Sequence, residues 1–212
     1  MPGQVVKYAP VPPGDRLHQG EIIAGLVRVR QVLDSIGSDN FRVEELTFPF
    51  VVVLTQDCEL SQDAMARNIE VQALNEPSLL NNEEFRKKHV NVKKYKVSNI
   101  LFCEAAATND LKAIVPPGKD IWKRIIQNKD ERYQCLEATP ADRDSATQGI
   151  PSLGCDFKRF FTIPADEVYK RIELKQIPRR THLITPYAEH LLHRFCNFQC
   201  RIPLPENHEV PL

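Results

Sequence analysis

Apolar and polar positions change period several times along the chain, and each change marks an element. Residues 21–30, Glu-Ile-Ile-Ala-Gly-Leu-Val-Arg-Val-Arg, are rich in β-branched side chains and end in an apolar/charged alternation, which predicts a half-buried strand. Residues 48–54 form an apolar run interrupted only by Pro49 and predict a strand buried on both sides, the centre of a sheet. Strict alternation over 68–74 predicts its neighbour. Further strands are predicted over 98–105, 111–115, 132–136 and 157–163, with a turn at Thr108-Asn109-Asp110. Ile121, Trp122, Ile125 and Ile126 recur at helical spacing and predict a short helix over 120–128, after a break at Pro116-Pro117-Gly118. Residues 83–88 read as a short surface helix or excursion, and 165–173 as a short helix. Thr185 as N-cap, with Pro186 at the first helical position, predicts a terminal helix over 185–199. Turn residues fill 34–40 and 138–154. Residues 1–19, carrying Pro2, Pro10, Pro12 and Pro13, read as an arm before a single β-rich domain, 20–212. Few strands are joined by crossover helices, so the expected fold is mainly β (α+β): a small curved antiparallel sheet or barrel with a C-terminal helix.

Composition narrows the function more than the fold. The chain has 212 residues, with 28 Lys+Arg against 28 Asp+Glu, and a formal net charge of +0. That balance argues against a general nucleic-acid or anionic-membrane binder and leaves only local patches. No membrane-spanning run exists, since a helix crossing a bilayer needs about 20 apolar residues. The start lacks the basic-then-apolar pattern of a secretory signal, so a cytoplasmic protein is expected, with its six cysteines as thiols. Neither GxGxxG, a phosphate loop, HExxH, GxSxG nor a paired CxxC occurs.

Two segments carry candidate chemistry. Thr55-Gln56-Asp57-Cys58-Glu59 follows the most apolar strand, where a rigid scaffold can present a nucleophile. Cys58 is the candidate nucleophile or metal ligand, with Asp57 or Glu59 assisting; a thiolate between two carboxylates requires a His or a metal beside it. The second segment is the terminal helix. At 100° per residue Leu191, Phe195 and Phe198 fall within about 60° of one another, while Glu189, His190, His193, Cys196 and Cys200 share an opposing sector of about 120°. His190 or His193 is therefore the candidate base. No cofactor is expected; zinc is the metal these Cys and His residues would take, with ligands added from elsewhere, because one straight helix cannot converge four ligands on one ion. A basic segment, Arg86, Lys87, Lys88, Lys93 and Lys94, is the candidate nucleic-acid or partner surface.

Gln19-Gly20-Glu21-Ile22-Ile23 is similar to the opening Gly-Asp-Ile strand of the PemK/MazF-like toxin barrel, and residues 48–55 are similar to its Pro-x-Leu-Val-Leu-Ser strand. The Leu54-to-Leu60 stretch, Asp156-to-Pro164 and Tyr187-to-Phe195 together resemble a group of uncharacterised bacterial proteins marked by a Ser/Thr-Gln-x-Cys-Asp/Glu strand end and a Glu-His-Leu helix. These resemblances imply a cytosolic accessory or effector protein of a phage-defence or toxin–antitoxin system. It would act by contact with a protein encoded nearby, with itself, or with RNA or DNA. The alternatives are a Cys58-centred enzyme and a barrel-type ribonuclease. The toxin ribonucleases carry an Arg before the Pro of the second strand, where this chain has Glu44-Glu45-Leu46-Thr47-Phe48 and Arg42 nearest.

Overall fold

The apolar run that ends at Leu54 lies at the centre of the sheet. The computed structural model describes residues 6–14, 16–32, 36–37, 39, 42–115 and 118–200. Within them, seven strands form one antiparallel sheet: β1 (Tyr8–Ala9), β2 (Glu21–Gln31), β3 (Val43–Val53), β4 (Asn99–Ala107), β5 (Tyr133–Leu136), β6 (Leu153–Pro164) and β7 (Arg179–Leu183), in the order β1-β7-β2-β3-β4-β6-β5. Six helices accompany it: α1 (Asp57–Asn75), α2 (Glu83–Val92), α3 (Thr108–Ile114), α4 (Lys119–Ile126), α5 (Ala165–Glu173) and α6 (Tyr187–Gln199). The fold is α+β with a C-terminal helix, and the sheet is not closed into a barrel.

β3 changes character along its length. Its first half alternates between exposed and half-buried residues in a ribbon paired with the outer half of β2, whereas Val51, Val52 and Val53 are fully buried. Pleating sends Val52, Ile22, Cys103 and Phe157 to one face, which α6 covers with Ala188, Leu191 and Phe195. Val51, Val53, Ile23 and Phe102 go to the other face, under Leu60 of α1 and Ala165, Val168 and Ile172 of α5. Fully burying side chains such as Phe102 and Phe157 contributes about 1.5–3 kcal/mol each. A third, smaller cluster joins Leu111, Val115, Ile125 and Tyr133. Gly154 makes room for it: a Cβ there would stand 2.2 Å from Leu111 Cδ2, so a larger residue would require the Leu111 side chain to shift.

Several expectations are corrected. Residues 68–74 belong to α1, because their alternation does not mark a buried face: Val71 and Leu74 are exposed and only Ala73 is buried. Residues 111–115 are helical to Ile114, with Leu111 and Val115 buried at i,i+4 spacing, and Thr108-Asn109-Asp110 opens that helix instead of forming a turn. The terminal helix begins at Tyr187 after an N-cap at Pro186, while the Thr185 hydroxyl donates to Glu189 at 2.8 Å. β1 and β7 escape pattern reading, being two and five residues long. Within the segment expected as an arm, Tyr8–Ala9 pairs with β7 and Leu17 is fully buried. The turn at 34–40 lies partly, and the Pro116-Pro117 break wholly, outside the described residues. Among the described residues no helix is long and apolar enough to cross a membrane.

Candidate functional site

The segment 55–59 is where β3 hands the chain to α1, and its residues have separate tasks. Leu54 N–H reaches Leu101 O at 2.8 Å, and Thr55 Oγ1 accepts the Leu101 N–H at 2.8 Å, carrying the β3–β4 ladder one step past the strand. Asp57 and Cys58 are then the first two residues of a 19-residue helix, so the cysteine sits in a first helical turn and not on a strand end. The Asp57 carboxylate is already committed. It accepts from the Arg16 guanidinium and from Gln19 N–H at 3.4 Å, and stands 3.4 Å from His18 Nδ1. Burial, and then the charge of Arg16, holds the His18 imidazole below the usual histidine range.

Gln19 joins the two walls of the site. Its buried side chain accepts from Asp57 N–H at 3.1 Å and donates to Ala188 O at 2.9 Å, coupling the start of α1 to the start of α6. Next to it, Gly20 has φ +76, and a Cβ there would lie 2.9 Å from Ala188 Cβ and 3.0 Å from Leu183 Cβ. The close approach of α6 therefore depends on glycine at that point. The segment is held from below by Arg179, which pairs with fully buried Glu21 and donates to the carbonyls of Gly14 and Arg16 at 2.6 and 2.5 Å.

Between these walls an open cleft is lined by Gln19, Gln56, Asp57 and Cys58 on one side and Glu189, Leu192, His193 and Cys196 on the other. Cys58 is exposed, with Sγ 3.5 Å from Gln56 Oε1. His193 is exposed, and its Nδ1 lies 3.3 Å from the Asn197 side-chain amide. Of the four residues assigned to catalysis, Cys58, Asp57 and His193 share this cleft, and His190 does not. At 100° per residue His190 stands about 60° round α6 from His193 and about 120° from Cys196, which turns it towards a second cleft.

The remaining thiols divide by burial. Its hydrogen bond with Cys155, followed by burial, pushes Cys103 well above the ordinary thiol range, and burial pushes Cys135 up to about 11. Both shifts disfavour the thiolate. Cys196 and Cys200 are exposed. Among the described residues no group of three or more His, Cys, Asp or Glu side chains is placed to hold a metal ion. The basic residues lie on α2 and the 3-10 turn after it: Arg86, Lys87 and Lys88 are exposed, Lys87 pairs with Glu83 at 2.6 Å, Lys93 and Lys94 start the turn, and Lys94 stands over the Tyr95 ring. They stand apart from the residues that line the Cys58 cleft. Sequence reasoning noted Gln19 and Gly20 only as the start of the opening-strand resemblance and gave them no role in the site. Comparison with protein-family models, curated proteins and solved structures returns no match for this chain.

Proposed function

We propose that the chain is a thiol-dependent acyl-transfer enzyme with Cys58 as nucleophile and His193 as general base. The observation that supports this is the single open cleft in which two residues 135 positions apart are brought to facing walls, one on α1 and one on α6. Thr55 and Asp57 have structural duties, whereas the Cys58 thiol is exposed and, among the described residues, hydrogen-bonds to Gln56. With the Asn197 amide turned so that its oxygen accepts from Nδ1–H, the free Nε2 of His193 takes the thiol proton, and the thiolate attacks an acyl carbon. The leaving group departs with that proton, and water then hydrolyses the thioester. The positive end of the α1 dipole favours the oxyanion formed on the way.

Alkylation by iodoacetamide, mapped by mass spectrometry, tests the pairing without knowledge of the substrate. Cys58 is expected to react about tenfold or more faster than exposed Cys200, and His193→Ala to remove that advantage and shift its pH profile, with an unchanged melting curve. Equal rates at Cys58 and Cys200, unaltered by His193→Ala, would overturn the reading.

A further inference from the structure

The open sheet leaves a gap between its two edges, and that gap is a built cleft. Tyr8, on edge strand β1, donates its hydroxyl to the carbonyl of Glu137, just past edge strand β5, at 2.8 Å, and Lys7 pairs with the Glu137 carboxylate. Behind this bridge lies a cleft of about 430 Å³, within the range of small-molecule sites. Its walls include Trp122 of α4, the one Trp of the chain, and Tyr187 of α6. Gln134 of β5 also lines it. That residue is 7% exposed, its amide nitrogen donates to Cys135 O at 3.2 Å, and its Oε1 is buried without a hydrogen-bond partner among the described residues.

We infer that the seam between the sheet edges is a binding site for a small uncharged planar heterocycle bearing an N–H donor, of the nucleoside class. Aromatic walls receive a flat ring. A buried acceptor left unpaired costs free energy that a ligand N–H recovers once the Gln134 amide turns toward the cleft, which makes Gln134 Oε1 the recognition group. The charges at the mouth, Lys7 and Glu137, neutralise each other, which favours an uncharged ligand. An added peptide strand is disfavoured, because the Asn128 side chain already bonds Cys135 N and O at 2.6 and 3.0 Å. The site is separate from the Cys58 cleft and holds whether or not that cleft is catalytic.

Titration of the intact chain with adenosine, guanosine, cytidine and uridine, followed by Trp122 fluorescence and calorimetry, tests it. At least one is expected to bind saturably with Kd of about 1 mM or tighter. Gln134→Leu, which keeps the volume and removes the acceptor, is expected to weaken that binding about tenfold or more. On the unaltered chain, the analogue whose N–H donors are methylated is expected to lose affinity similarly, and this arm stands even if the variant fails to fold. No binding by any of the four up to about 10 mM, or equal affinity for the methylated analogue, would overturn the inference.

Discussion

Asp57 and Cys58 are neighbours with opposite fates. The carboxylate is spent on Arg16, His18 and Gln19, while the thiol faces open space. In the sequence both stood out as polar residues after an apolar run, and nothing local separated them, because the groups that claim Asp57 come from residues 16–19. The same holds for His190 and His193, which share a helix face and yet line different clefts. Gly20 was legible as a glycine before a strand, but not as the point where α6 touches the chain. Gly20→Ala puts a methyl group 2.9 Å from Ala188 Cβ on a backbone with φ +76. The expected loss is about 1–3 kcal/mol, read from urea midpoints, because a helix must move to relieve the clash. An unchanged midpoint would mean that α6 is not fixed against this turn.

Elements were legible where burial is two-sided and illegible where it is slight. β2, β3, β4, β6 and α5 were readable from their own residues, since long apolar runs and clear helical spacing leave few alternatives. α1 was not, because its buried set is Leu60, Asp63, Ala66 and Ala73, too small and too polar to set a visible period. β7 was hidden for a related reason: Arg179 and Arg180 look like a basic surface, but each is consumed by a buried carboxylate, Glu21 and Asp144. Asp144 accepts from Arg180 Nε and Nη2 at 2.7 and 2.6 Å and from the backbone N–H groups of Ala146 and Gln148, which docks the loop before β6 onto β7. The Arg180 guanidinium is the main cause that holds its carboxyl at about 2, below its ordinary 3.8. The unfolded chain therefore binds the extra proton between these values, so the stabilisation is complete above about pH 4 and fades as pH falls from 3.8 towards 2. Asp144→Asn is expected to lose about 2 kcal/mol near neutral pH and progressively less below pH 4, in urea titrations across that range. A difference independent of pH would exclude this carboxylate as the anchor.

At the scale of the whole molecule, charge balance and an open sheet work together. A net charge of +0 removes steering by net charge and leaves local recognition open, and the two clefts on either side of α6 are local in that sense. Sequence alone left both a curved sheet and a barrel open, because closure is decided by two edges that no periodicity describes. One is a two-residue strand, and the other is a four-residue strand whose outer groups at Cys135 are covered by an asparagine side chain. What bridges them is Tyr8, whose phenol is pushed up by burial and so remains a hydrogen-bond donor through the neutral range. Tyr8→Phe keeps the ring in the core and removes only the bond to Glu137 O. It is expected to cost about 1 kcal/mol in global stability. The informative readout is local: hydrogen exchange of the β5 amides should quicken and Trp122 fluorescence should shift, while the central β3–β4 ladder keeps its protection. If β5 and β3 lose protection equally, the seam is one with the core and cannot open to admit a ligand; if β5 alone responds, the gap between the edges is the most yielding part of the fold.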